Sequence, residues 1–510
     1  MADLNDLHMS RRDLVRWSAG AGTLVVLGGC GGLEDLSAAV TGPPAGTGKG
    51  TAGIAQSARA AVDGTFYVDS LAGDDANPGN DSTLPWRSLG RLELAVGAGE
   101  IGAGDTVQFR AGSTFLRDES SEGSFWFEAG IRYRGSDISD RPVFVGSGDR
   151  PFGVRGTGTA LRDLVLQGGD LSVLRTDGTA PVHVSLTNVD CTGGARIGFQ
   201  QLSGAGAGSG STFTIKGGSF SRNGTIGINL TGAQDTTVDG VEAADNGTVG
   251  IRLQSSGPGC VIRNCAAHGN GANGIGVDTP RPGGGAEVVE GNTVYRNAAL
   301  LNDRSGIKTF SVGTVIRYNE VFENGLDGNL NHGIQLEAGS SDAHCYANLC
   351  FGNRTVGISF TGSGHRLYHN TCDSNGEAGI ATFSREVVDC EIKNNLLVDN
   401  GIYSFRSHAS VALEGIGLDY NLHERNGGPA TVRFRGVDHA SLEALEAAYG
   451  QERHGVEGGS RLHPTTRRVP PPSSAVGRGD AAVGVSHDYA GDSYRNPPTI
   501  GAFEIRRRRP

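Results

Sequence analysis

What the chain is short of excludes several classes of protein. Two methionines and 6% aromatics in 510 residues leave too few long unbranched side chains for the heptads of a helical bundle. No Cys-x-x-Cys occurs, and beyond Cys30 the cysteines at 191, 260, 265, 345, 350, 372 and 390 are odd in number and irregular in spacing. Neither a zinc site nor a full disulfide framework follows from that pattern, although Cys350 and Cys372 are expected to stack in the core. Basic charge is also scarce: 44 Lys and Arg against 55 Asp and Glu give a net charge of −11, which argues against a broad polyanion-binding surface and hence against a nucleic-acid partner. The run Arg506–Arg509 reads as a solvated end. Eighteen prolines without a Gly-X-Y period exclude a collagen-like chain. Glycine is abundant instead, 83 residues or about twice ordinary usage, which implies many tight turns between short apolar runs of strand type.

The first 30 residues read as an address. Ser10-Arg11-Arg12 precedes an apolar run from Ala19 to Leu27, and Gly28-Gly29 precedes Cys30. Paired arginines before a modest apolar run are the pattern of a twin-arginine export signal, and small residues before a cysteine that of a lipoprotein cleavage box. The run is too short to span a bilayer. The mature chain is therefore expected to start at Cys30, carry lipid there and work outside the cytoplasm, with that anchor as its membrane contact. Residues 31–62 have linker composition.

A period organises the middle. Gly-Ile recurs at 227, 250, 274, 306, 333, 357, 379 and 401, in steps of 23, 24, 32, 27, 24, 22 and 22 residues. The two longer steps read as insertions, at 281–305 and 322–332. Between these marks lies Asn-x4-Asn, at 292/297, 319/324, 348/353, 370/375 and 395/400. Asparagine tolerates left-handed backbone and its amide bonds to an identical amide above and below, so a stacked ladder at a turn explains the recurrence. Runs such as Gly250 to Gln254 alternate apolar and polar residues, placing one face in and one out. A unit this short cannot bury its apolar face alone, but a stack of units can. The expected fold is all-β, a right-handed parallel β-helix, with a capping segment and first rungs at 63–150, a core at 151–425 and a capping segment with basic tail at 426–510. A capped solenoid needs no partner, which implies a monomer.

The opening Thr65-Phe66-Tyr67-Val68-Asp69, Gly73-Asp74-Asp75-Ala76-Asn77-Pro78-Gly79 and Gly104-Asp105-Thr106-Val107, together with the exit Ser441-Leu442-Glu443-Ala444-Leu445 and Ile500-Gly501-Ala502-Phe503-Glu504, resemble the ends of the secreted right-handed β-helix proteins that include pectate, alginate and chondroitin lyases and alginate epimerases. The resemblance covers roughly 63–505 and implies a pectin lyase-like fold and activity on polysaccharide. The clustered aspartates of pectate lyases and the paired aspartates with Gly-His-Gly of polygalacturonases are absent.

In a stacked fold, residues at equal offset from Gly-Ile form columns. Two residues after the glycine the outward column reads Asn229, Arg252, Gly276, Lys308, Gln335, Ser359, Ala381, Tyr403, and two further on Thr231, Gln254, Asp278, Phe310, Glu337, Thr361, Phe383, Phe405. Arg252 and Lys308 are two strands apart, about 10 Å, with Gly276 as a notch between them. That notch suits a sugar carboxylate paired to Arg252, with Lys308 as the base that removes the acidified proton. His332 stands at the edge of the same face as a further proton-transfer group. Arg304, Gln335, Gln254 and Phe310 are expected to contact the sugar. Asp278, Glu337 and Asp303 are the oxygen donors for calcium, as in the related lyases. The expected activity is elimination from, or C5 epimerisation of, an acidic polysaccharide, most simply a lyase. The alternatives are an inverting glycoside hydrolase using Asp278 and Glu337, and a non-catalytic glycan-binding or adhesive solenoid gripping glycans with Phe310, Phe383, Phe405 and Tyr403.

Overall fold

The computed structural model describes residues 63–505 apart from 179, 203–209, 279–285, 299–303, 326–330, 384–385 and 410–411. The N-terminal address with Cys30, the linker, Asp303 and the terminal arginine run lie outside the described residues. From Thr65 to Glu457 the chain winds into an all-β parallel solenoid with three long sheets. Sheet 1 runs from Thr65–Val68 to Gly417–Asp419, sheet 2 from Phe125–Phe127 to Val437–His439, and sheet 3 from Glu242–Ala244 to Val456–Glu457. One rung shows the plan: Val249–Gln254 in sheet 2, Val261–Arg263 in sheet 1, Ala266–His268 in sheet 3, then Ile275–Asp278 back in sheet 2. Within the three long sheets the strands pair in parallel except at the end of sheet 2, where Val432–Phe434 meets Val437–His439 antiparallel.

The period follows from packing. Ile228, Ile251, Ile275, Ile307, Ile334, Ile358, Ile380 and Phe405 stand in register, all fully buried, and each contributes about 1.5–3 kcal/mol by leaving water. The glycine before each isoleucine is required by the asparagine. A β-carbon at Gly333 would lie 2.7 Å from Asn353 Nδ2 and 2.6 Å from the Gly357 carbonyl. The two recurrent marks are therefore one device.

Asn-x4-Asn resolves into two ladders. One joins sheet 1 to sheet 3 through Asn292, Asn319, Asn348, Asn370, Asn395 and Asn421; the other precedes sheet 2, from Asn223 to Asn400. Each amide donates to the next one's oxygen and to a backbone carbonyl: Asn348 Nδ2 reaches Asn370 Oδ1 at 3.0 Å and the Ile316 carbonyl at 2.9 Å. Buried polar groups are satisfied in this way rung after rung. The first ladder ends on Glu452, whose Oε1 accepts from Asn421 Nδ2 at 2.6 Å and lies 3.0 Å from His423 Nε2, while His423 Nδ1 lies 2.7 Å from Ser404 Oγ. Cys350 and Cys372 are stacked as register partners, both buried as free thiols.

Both ends are closed by helices. Leu89–Gly97 starts on Ser88, whose hydroxyl accepts the Arg91 amide, and buries Leu89, Leu92 and Ala95. Leu442–Tyr449 starts on Ser441 and ends on Gly450 at φ +68. Such caps cover the apolar ends that stacking leaves open. Among the described residues no helix is long and apolar enough to cross a membrane.

Two sequence expectations are corrected. Gly401-Ile402 is not the eighth repeat mark: Gly401 lies over Gly376 at the turn, and Phe405 takes the isoleucine position. Phe405 is thus a core residue, and the outward partner of Ala381 is Arg406 rather than Tyr403. The span 281–305 is not one insertion either, because Val288–Glu290 and Thr293–Tyr295 are ordinary rung strands inside it.

Candidate functional site

The outward face of sheet 2 brings most of the expected residues together. Arg252, Gly276, Lys308 and Gln335 are successive register partners, as are Gln254 and Asp278. Strand Arg304–Thr309 carries Lys308, and strand Asn331–Leu336 carries His332 and Gln335. Gly276 is buried, and a β-carbon there would lie at ordinary contact distance from Val249, 3.8 Å, and Asn273, 4.0 Å.

Lys308 is not the solvated cation that an outward column usually holds. It is 2% exposed, and its Nζ lies 2.7 Å from Glu337 Oε2 and 5.2 Å from the centre of the Phe310 ring. Gln335 Nε2 donates to the same carboxylate at 2.9 Å, and the Ser305 hydroxyl donates to Gln335 Oε1 at 2.7 Å. Ser305, Gln335 and His332 are buried as well. Long side chains thus bridge columns, and a polar network is assembled on a surface that needs none for folding. A buried ion pair is costly to desolvate and adds little stability, so its presence asks for another explanation.

Arg252 and Asp278 form a second ion pair, Nε to Oδ2 at 2.8 Å, with side chains 29% and 25% exposed. Asp278 and Glu337 therefore do not face one another across a metal position. Each is engaged by its own cation, and Phe310 lies in the column between them. Among the described residues no three His, Cys, Asp or Glu side chains gather to hold a metal ion.

His332 lies against Phe383, ring centres 5.7 Å apart and planes 21° from parallel. The Arg406 guanidinium covers Phe383 at 4.9 Å and is paired with Glu377. Burial first, and then neighbouring Arg433, lower the pKa of Arg406 below the usual guanidinium value. Tyr403 takes a hydrogen bond from Arg433 Nη1 at 2.8 Å. Val356, Ala378 and Ala381 pack with Tyr403 as a small apolar floor. Arg304 is half-buried, and its backbone N–H donates to Asn331 Oδ1 at 3.0 Å.

Sequence reasoning missed Ser305, Glu377 and Arg406. Ser305 had a signal, because it precedes Gly306 as His332 precedes Gly333. Arg406 had none, because the Gly401-Ile402 dipeptide draws the register three residues off.

Comparison with known proteins agrees on the fold. The family described as a right handed beta helix region matches residues 171–299 and 259–397. The chain is thus a right-handed parallel β-helix protein. Lacto-N-biosidase of Bifidobacterium longum subsp. longum is 33% identical over 88 residues, which is 16% of this chain and 5% of that protein. Among solved structures, pectate lyase Pel9A aligns at 15% identity over 88% of this chain and 97% of its own, with a TM-score of 0.40. The A-module of the Azotobacter vinelandii mannuronan C-5 epimerase AlgE6 aligns at 16% identity over 66% and 89%, with a TM-score of 0.46.

Proposed function

We propose that this protein acts on an acidic polysaccharide outside the cytoplasm, by β-elimination or by the C5 epimerisation that begins with the same proton abstraction. The observation that carries the reading is the register triple Arg252, Gly276, Lys308, with Lys308 buried against Glu337 beside a position that carries no side chain.

Arg252 pairs with the uronate carboxylate in the notch, which acidifies the adjacent C5 proton. Lys308 takes that proton, and Glu337 is its proton partner: when the carboxyl of Glu337 holds the proton, Lys308 Nζ has a free electron pair. In elimination the C5–H and C4–O bonds break, the C4=C5 double bond forms, and Glu337 returns its proton to the leaving oxygen. Lysinium and carboxylate remain, the ion pair of the resting site. In epimerisation C5 regains a proton from the other side of the ring, and His332 is the remaining proton-transfer group on this face. Gln335 orients Glu337, while Gln254, Arg304 and Phe310 border the sugar. Export rests on Arg11-Arg12, and anchoring on lipidation of Cys30, which a Cys30→Ser variant released from the membrane fraction would support.

The test is a panel of acidic polysaccharides, followed by ultraviolet absorbance for unsaturated uronate and by reducing-end assay. Absorbance that rises with wild type and not with Lys308→Ala supports the reading. Reducing ends without absorbance indicate hydrolysis and overturn it. Running each substrate with and without a chelator tests calcium in the same assay.

A further inference from the structure

A second cleft lies on sheet 1, away from the residues described above. Along the outward face of that sheet one column runs Asp239, Arg263, Glu290, Arg317, Tyr346, Tyr368, Lys393, Asp419. Its first four members alternate in sign and pair, Arg263 with Asp239 at 3.0 Å and Arg317 with Glu290 at 2.6 Å. Paired opposite charges on neighbouring strands are an ordinary way to finish a solvent-facing sheet. Two tyrosines then interrupt the pattern. In the adjoining column Val261, Val288 and Val315 give way at the same rungs to His344 and Arg366. Where the pattern breaks, these side chains and the segment 483–487 line a cleft of about 420 Å³, a size typical of small-molecule sites.

The cations of this cleft come with their own counter-charges. Arg317 holds Glu290 and donates to the Tyr346 hydroxyl at 2.8 Å. Arg366 faces Glu391 at 3.6 Å and donates to the Asp389 carbonyl at 2.6 Å, and the Tyr368 hydroxyl donates to Glu391. An anion entering here would meet two carboxylates as well as two guanidiniums. The rings are what the cleft adds. Tyr318 and Tyr346 stand 5.7 Å apart at 88°, offering one face and one edge. Tyr318 holds φ +57 in a turn column where Gly291 and Asn394 have φ +63 and +60. Ala347 and His369 hold the same region at φ +51 and +53 in this column, and asparagine enters it easily.

We propose that this cleft binds an uncharged saccharide, with its C–H face on a tyrosine ring and its hydroxyls bonded to Arg317, Arg366 and His344. The inference does not depend on the chemistry proposed for sheet 2. It is tested by titration calorimetry on the full chain with cellohexaose, maltohexaose and xylohexaose, and with hexagalacturonate as the charged probe. The variant is Tyr318→Asn with His344→Ala, since asparagine accepts the backbone of position 318 and the fold is retained. The expected result is saturable binding of at least one uncharged hexasaccharide, weakened at least tenfold in that variant and unchanged in Lys308→Ala. Binding of none of the uncharged probes, hexagalacturonate binding abolished by the double substitution, uncharged-probe binding that survives the double substitution, or such binding lost in Lys308→Ala would each overturn it.

Discussion

Lys308 Nζ and Glu337 Oε2 lie 2.7 Å apart on the outward face of a solenoid, with the lysine 2% exposed and the carboxylate 21%. Some ion pairs on this protein sit largely in solvent, for example Arg296 with Glu323 at 69% and 49% exposure, where such pairs contribute little. Lys308 with Glu337 belongs to the enclosed pairs, as do Arg467 with Asp373 and His423 with Glu452. Removing one partner strands the other charge, at about 3 kcal/mol. Lys308→Met and Glu337→Leu are each expected to lower stability by about that amount, while the double variant recovers most of the loss; urea denaturation of the four proteins measures the coupling.

The notch should separate function from fold. Gly276→Ala adds a single β-carbon that meets ordinary van der Waals contacts, so the melting temperature is expected to stay within a few degrees. The same β-carbon stands between Arg252 and Lys308. Turnover of acidic polysaccharide should fall at least a hundredfold, which a direct rate comparison at matched concentrations would register.

The asparagine ladder makes its own prediction. Asn348→Ala removes an amide that bonds on both sides and leaves buried groups unmatched at about 1–3 kcal/mol each, so a loss of about 3 kcal/mol is expected. Because neighbouring ladder members share one bond, Asn348→Ala with Asn370→Ala should cost less than the sum of the two. Asn348→Ala with the distant Asn223→Ala should cost the full sum.

Acid stability should depend on His369. Burial pushes its pKa down from 6.5 to about 3, so the unfolded chain takes up a proton before the folded one does. Stability is unaffected by this residue above about pH 6.5 and falls as pH drops from there towards 3, at up to about 1.4 kcal/mol per pH unit. His369 has φ +53, and Asn394 holds the same place one rung on at φ +60, so His369→Asn suits the backbone. The variant should show a shallower decline of the urea midpoint between pH 6.5 and 4 than the wild type; equal slopes would show that His369 is not the cause.

The repeat marks made the fold legible because glycine, isoleucine and asparagine each answer one constraint of stacking. The same logic placed Arg252, Gly276 and Lys308 in one column. It did not reveal who pairs with whom. A period reports backbone register only, and Lys308 reaches Glu337 diagonally across two columns while Arg252 reaches Asp278 in the same way. The period gave no sign that Asp278 is the partner of Arg252 and Glu337 that of Lys308. At Tyr403 and Phe405 the register failed outright, because a Gly-Ile pair at a turn imitated the strand mark.

The most direct measurement is proton nuclear magnetic resonance of a uronate polymer incubated in deuterium oxide with wild type and with Lys308→Ala. The account predicts that wild type depletes the H5 signal, through a new C4=C5 double bond or through deuterium at C5, and that Lys308→Ala leaves it intact. Chain cleavage with H5 retained, or equal loss of H5 with both proteins, would contradict it.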